Sequence, residues 1–180
     1  YVQMVNNGIK RLKNVQNHLS EIAQGGTAVG TGINTKANFG KLMAEEISRF
    51  SGVNFIEAPN HFEAQGTQDA SVETSGTLKT IAISLSKIAN DIRWMSSGPR
   101  AGIGELILPA VQPGSSIMPG KVNPVICESM IQICAQVIGN DTAITLGGQG
   151  GIFELNMMLP LIAHNLMQSI EILTKGSMMF

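Results

Sequence analysis

LKTIAISLSKIANDIRWM, residues 78–95, is the most regular segment of the chain. Its apolar residues alternate spacings of three and four without a break, and they are Leu78, Ile81, Leu85, Ile88, Ile92 and Met95. This spacing is typical of a helix with a coiled-coil-like seam. Because no proline occurs between Pro59 and Pro99, the sequence predicts one helix over about residues 67–97, roughly 47 Å long. A compact globule of this size is only about 40 Å across, so we expect an elongated fold.

The segment before this helix also has helical patterns. One predicted helix face carries Val2, Val5, Ile9, Leu12, Val15, Leu19 and Ile22, and Gly25–Gly26 should end that helix. The glycine-rich GGTAVGTGIN that follows, residues 25–34, lacks the spacing of a dinucleotide-binding motif, and no strand is predicted before it. We therefore predict a tight connection there. A short helix is predicted over residues 39–50, stopped by Gly52.

Two further helices are predicted after residue 120. Asn123-Pro124 is typical of an N-cap followed by the first helical position. The helix it begins is apolar on nearly all sides, which predicts a central, buried position. The last apolar stripe starts at Leu155 and would be kinked if Pro160 lies inside the helix. Since no alternating strand pattern of useful length occurs, the predicted class is all-α, an elongated bundle of long helices.

Low charge is the main feature of the composition. Charged residues make up 14% of the chain, with 12 Lys plus Arg against 13 Asp plus Glu, whereas an ordinary soluble protein has roughly 25%. The domain either has an adhesive surface or buries much of that surface against other chains, and we favour burial. The net charge of −1 offers no basic surface for nucleic acid. The longest uncharged run, residues 155–170, is too short to span a membrane.

The two cysteines argue for a reducing compartment. Cys127 and Cys134 are seven residues apart in one predicted helix, about 10 Å along its axis, which is too far for a disulfide. Neither belongs to a C-x-x-C pair, so a zinc site is not predicted. A cytoplasmic location is the expectation.

The irregular segment 98–120 ends in the stretch with the most chemistry, GSSIMPGKVNP, residues 114–124. It resembles a nucleotide phosphate loop, but five residues separate its glycine from Gly-Lys and Val122 follows Lys121. Two hydroxyls and an ammonium at a helix start instead predict an anion site, most plausibly for a carboxylate. Taken singly, Asn123 is more often a plain N-cap, Lys121 a solvated charge and each serine a turn residue.

The loop also carries a family resemblance. GSSIMPGKVNPVICE matches every position of the G-S-S-x-M-P-x-K-x-N-x-x-x-x-E signature of the fumarase/aspartase superfamily. APNHFEA, KIANDIRWMSSGPRAGIGEL and FELNMMLPLIAHNLMQSI resemble the class II fumarases. Aspartases resemble the chain in GPRAG but typically have alanine where Gly120 stands. The resemblance implies the central helical domain of the fumarase/aspartase fold and the reversible hydration of fumarate to (S)-malate, with no metal and no organic cofactor.

The resemblance also implies residue roles. Ser115 would be the catalytic base, and anti elimination would pass through an aci-carboxylate intermediate. Ser116 and Asn123 would hydrogen-bond the substrate, Lys121 would hold a carboxylate, and Val122 would contribute only backbone. The family's matching glutamate orients a catalytic histidine, a role that falls here on Glu128.

The catalytic histidine is not expected within this sequence. The family acid lies in a T-H-x-Q-D-type motif, and neither His18, His61 nor His164 stands in one. We therefore expect residues 1–180 to be part of the central domain, with the motif just upstream, the N-terminal and small C-terminal domains outside, and no activity from these residues alone. The family further implies a homotetramer with active sites shared between subunits, in the cytoplasm or in a mitochondrial matrix. Aspartate ammonia-lyase activity and a non-catalytic helical assembly module are the alternatives.

Overall fold

The computed structural model of residues 1–180 contains six helices. These are α1 (Val2–Leu19), α2 (Phe39–Ser51), α3 (His61–Gly66), α4 (Asp69–Met95), α5 (Val125–Gly148) and α6 (Leu159–Met179). Four strands of two residues complete the structure. β1 (Glu21–Ile22) pairs in parallel with β2 (Ile56–Glu57), and β3 (Gly151–Ile152) pairs antiparallel with β4 (Leu155–Asn156). The predicted all-α class is confirmed.

The bundle is organised around α4 and α5. These two helices pack along each other, while α1 lies against α4 and α6 lies against α5. The main core cluster consists of Leu78, Ala82, Ala89, Cys127, Met130, Cys134, Val137 and Leu173. Its members on α4 come from the predicted seam and its small-residue neighbours. α4 has 27 residues, about 40 Å at 1.5 Å per residue, and α5 has the central position expected of it.

Several helix boundaries differ from the prediction. Ile22 does not continue α1, because the carbonyls of Ser20 and Ile22 accept hydrogen bonds from the backbone N–H groups of Ile56 and Ala58. Strand pairing therefore replaces the last predicted turn. The condition for a kink at Pro160 is not met, because α6 starts at Leu159, which puts Pro160 in the first turn. Proline is tolerated there because that N–H would have no helical partner.

An ion pair between the buried Asp141 and the partly exposed Lys79 joins α4 to α5. The two Asp141 carboxylate oxygens accept hydrogen bonds from Ser75 Oγ at 2.8 Å and from Lys79 Nζ at 2.6 Å. The Asp141 side chain is 6% exposed and that of Lys79 is 40% exposed. The carboxylate therefore depends on these two donors, whereas the ammonium retains access to water.

This asymmetry leads to a stability prediction. Lys79→Met should lower the free energy of unfolding by about 3 kcal/mol, because the buried carboxylate keeps only the Ser75 hydroxyl. Lys79→Met combined with Asp141→Leu should recover most of that loss, since apolar replacement of both partners removes the desolvation penalty. Urea unfolding in a double-mutant cycle measures both effects. Additive losses in the double variant would contradict the pairing.

Both cysteines are buried as free thiols on α5. Burial raises the pKa of the Cys134 thiol to about 11 and also raises the pKa of Cys127. The thiolate is the reactive form, so both cysteines are packing residues here. None of the helices combines the length and apolar character needed to cross a bilayer.

Candidate active site

The chain leaves the C-terminal end of α4 through a turn that precedes the candidate site. The Met95 carbonyl accepts hydrogen bonds from the N–H groups of Glu105 at 2.8 Å and Leu106 at 3.1 Å, and Ser97 Oγ accepts from Ile103 N–H at 3.1 Å. A side chain on Gly102 would collide with the Ser97 backbone. These contacts fold residues 95–106 into a compact turn, which sets where the following extended segment starts.

The serine loop, residues 114–124, is closed on itself. Gly114 N–H donates to the Lys121 carbonyl at 2.8 Å, and Lys121 N–H donates to the Met118 carbonyl at 3.3 Å. Within the loop Ser115 Oγ accepts from Ile117 N–H at 3.2 Å. A backbone donor at this distance favours the anionic form of the hydroxyl. Contacts within the loop thus hold the serine that the family resemblance casts as the base.

The start of α5 lies one residue later than predicted. The helix begins at Val125 and Pro124 is its N-cap, with φ −76° and ψ 62°, so the expectation of Asn123 as N-cap is wrong. The nonhelical ψ of Pro124 moves the first helical position to Val125. No side-chain capping bond forms. The Asn123 amide is therefore not used by the helix, and its Oδ1 lies against Gly114.

The loop places the predicted residues close together along one short path. Ser115 and Asn123 are half-buried, while Ser116, Lys121 and Val122 are exposed. The Lys121 ammonium takes part in none of the seven ion pairs of the chain. It is therefore a free cation within the chain, one residue from the unused Asn123 amide.

Glu128 lies one turn into α5. Its backbone N–H donates to the Pro124 carbonyl, and its side chain is half-buried. The carboxylate makes no hydrogen bond or ion pair within the chain. A half-buried carboxylate beside the loop is thus available to a partner outside these residues.

A cavity of about 460 Å³ separates the end of α4 from the loop. Its α4 side is formed by residues 96–99, and its loop side by Gly120, Val122, Asn123 and Pro124. Ser115 and Lys121 do not line it. Of the predicted site residues, Val122 and Asn123 therefore line this cavity.

A larger cavity, of about 730 Å³, lies at the other end of α4. Its charged lining consists of His18, Glu21, Glu63, Asp69 and Glu73. His18 Nδ1 is 2.6 Å from Glu73 Oε2, and this hydrogen bond raises the pKa of His18. The four carboxylates would repel a dicarboxylate, so this cavity is a poor site for such a ligand.

The other two histidines are also remote from the serine loop in their contacts. His61 Nε2 is 3.3 Å from Glu57 Oε1, and the side chain packs beneath Gly25 and Gly26. His164 is exposed on α6. The glycine-rich segment 25–34 is indeed a tight connection, because a side chain on Gly26 would collide with His61 and Gln65.

The chain is similar in sequence to known proteins. Residues 1–139 match the protein family described as lyase. The chain belongs to this lyase family. The serine loop and the start of α5 both lie inside the matched region.

Individual relatives are similar to this chain over all of its 180 residues. The chain is 52% identical over 180 residues to the mitochondrial fumarate hydratase of Dictyostelium discoideum, covering 100% of this chain and 37% of that protein. It is 53% identical over 180 residues to the class II fumarate hydratase of Nitrosomonas europaea, covering 100% of this chain and 39% of that one. The resemblance to class II fumarases is therefore confirmed. The chain spans less than two fifths of the length of these relatives.

A solved structure agrees with the fold. The recombinant class II fumarase of Schistosoma mansoni superposes with a TM-score of 0.95 at 37% identity, over 98% of this chain and 40% of that one. The helical bundle of this chain thus has the fold of the class II fumarase bundle, as the sequence implied.

Proposed function

We propose that the natural protein containing these residues catalyses the reversible hydration of fumarate to (S)-malate. One observation carries the proposal: a closed loop holds Ser115, the free Lys121 ammonium and the unused Asn123 amide at the start of α5. The family match and the names of the relatives support it. The substrate is a small dicarboxylate, and the roles predicted for Ser115, Ser116, Lys121, Val122, Asn123 and Glu128 are part of the proposal.

In the malate-to-fumarate direction, the Ser115 alkoxide removes a proton from the carbon next to a carboxylate. The electron pair of the broken C–H bond moves into that carboxylate and forms the aci-carboxylate. The Ile117 N–H stabilises the alkoxide. Lys121 balances the added charge on the substrate, which is where preorganised cations lower a barrier most.

The second step breaks the C–O bond on the opposite face. The hydroxyl leaves as water after taking a proton from an acid, and the electron pair of the aci-carboxylate forms the C=C bond. We assign the acid to a histidine outside these residues, oriented by the Glu128 carboxylate. Hydration of fumarate is the reverse sequence.

Assembly into a homotetramer with shared active sites is part of the proposal. The chain exposes 11532 Å², whereas a compact monomer of its mass exposes about 8,400 Å². Many large apolar side chains are exposed, including Val2, Ile83, Trp94, Leu146 and Met167. Exposed apolar surface of this extent favours association with other chains. Light scattering on the purified natural protein should give a tetramer, and a stable monomer in dilute buffer would contradict the assembly.

The direct test of function is an assay of the purified natural protein with fumarate and with malate. Interconversion followed by ultraviolet absorbance is expected. Release of ammonia from aspartate would instead support the ammonia-lyase alternative. Failure to bind either dicarboxylate in a calorimetric titration would support a non-catalytic assembly module.

The 180 residues expressed alone should give no measurable hydration. They are proposed to be part of the central domain, and none of their three histidines contacts the serine loop or Glu128. The natural protein at equal molar concentration is the control. Turnover by the isolated residues would show that they contain their own acid. A cytoplasmic or mitochondrial location remains a prediction.

A further inference from the structure

We infer that Gly114 is a positioning residue that holds Ser115 in register with Lys121 and Asn123. The inference rests on the proposed function, because it concerns the geometry between the proposed base and the groups proposed to bind substrate. It extends that function because it assigns the positioning of Ser115 to Gly114, a residue without a side chain.

Space, not backbone conformation, requires glycine at this position. A Cβ on Gly114 would lie 2.8 Å from the Lys121 carbonyl oxygen, 3.1 Å from Asn123 N and 3.0 Å from Asn123 Oδ1. The φ of Gly114 is outside the left-handed region, in contrast to Gly120 with φ +74°. Two of the three opposing atoms are backbone atoms, which cannot rotate away. Alanine at residue 114 must therefore separate the two sides of the loop.

The same contact includes a hydrogen bond. Gly114 N–H donates to the Lys121 carbonyl at 2.8 Å, and this bond is the only backbone link between residue 114 and the far side of the loop. A displaced residue 114 loses it. One added methyl group thus removes both the close approach and the bond that closes the loop.

The displacement should fall on Ser115. Asn123 lies two residues and Lys121 four residues before the first residue of α5, whose first turn is held by the hydrogen bond from Glu128 N–H to the Pro124 carbonyl. The side that carries Ser115 is preceded by exposed residues, with Ile107 99% exposed. The more weakly held side moves. Substrate would still reach Lys121 and Asn123, while the base would be misplaced.

The test is Gly114→Ala in the natural protein, with Gly139→Ala as the matched control. Gly139 is exposed on α5, and a Cβ there meets no atom within 4 Å. We expect kcat of Gly114→Ala to fall on the order of 100-fold, because a shift of about 1 Å in a reacting group costs that much. KM should change by less than about threefold, and Gly139→Ala should retain wild-type kcat and KM.

Hydrogen exchange tests the closure without relying on turnover. The Gly114 amide should be protected in the wild-type protein and should exchange rapidly in Gly114→Ala. An unprotected Gly114 amide in the wild type would overturn the inference. A lowered melting temperature with unchanged kcat would do the same, because it would show a purely structural role. If the wild type does not hydrate fumarate, the proposed function fails, while the exchange pattern still decides whether Gly114 closes the loop.

Discussion

Ser115→Ala should lower kcat for fumarate hydration by about 10³-fold in the natural protein. General base catalysis contributes roughly 10² to 10⁴ in rate, and the loop offers no second group at the same position. Ser115 Oγ accepts a hydrogen bond from the Ile117 N–H. Alanine therefore removes the proposed base and leaves this N–H without its acceptor. Steady-state kinetics with fumarate and with malate should show the same fold loss in both directions.

Ser116→Ala is the control for Ser115. It removes a hydroxyl from the next residue of the same loop, where the side chain is exposed and is proposed to bind substrate. Its effect should appear mainly in KM, because a lost binding contact weakens ground state and transition state alike. If Ser116→Ala lowered kcat more than Ser115→Ala, the two serine roles would have to be exchanged.

Lys121→Met should lower kcat/KM by about 10³-fold. Lys121 is the free cation of the serine loop and the proposed partner of a substrate carboxylate. Losing a charge-assisted contact to the ground state costs roughly 1.5–3 kcal/mol, and losing electrostatic stabilisation of the aci-carboxylate costs a further 10² or more in kcat. Both KM and kcat should therefore change, unlike the result for Ser115→Ala.

Lys121→Arg separates charge from shape. It keeps the positive charge but replaces a compact ammonium by a planar fork, so it should retain part of the activity that Lys121→Met loses. The matched control is Lys36→Met, which removes an exposed charge two residues after the glycine-rich connection and should change neither constant. Wild-type kinetics in Lys121→Met would show that the ammonium faces solvent in the assembled enzyme, and the proposed carboxylate site would be wrong.

The long helices could be predicted because their signal is local. The seam of α4 supplies Leu78 and Ile88 to the buried interior, and spacings of three and four place such residues on one face whatever packs against them. Gly52 ends α2 with φ +73° as expected, because a left-handed cap favours glycine. Predicted helix ends were wrong where a tertiary partner competes with the helix. Ile22, for example, pairs with β2 instead of extending α1.

The candidate site could be predicted only in part. Ser115, Lys121 and Asn123 could be proposed from sequence because they are near neighbours along the chain, and their roles stay predictions. The prediction that Asn123 is the N-cap of α5 was wrong, because the nonhelical ψ of Pro124 moves the helix start to Val125. The collision that requires glycine at residue 114 had no sequence signal beyond the G-S-S pattern, because it depends on how the loop closes.

The order of residues in this chain was sufficient for the helix content, the bundle class and the chemical groups of the serine loop, since each depends on neighbours a few positions away. Tertiary structure decided three contacts: the ion pair of Asp141 with Lys79, the strand pairing of Ile22 and the close approach of Gly114 to Asn123. In each of these contacts the two partners are distant along the chain or meet only when a loop closes. The entropy cost of bringing them together is offset only by packing of the whole bundle.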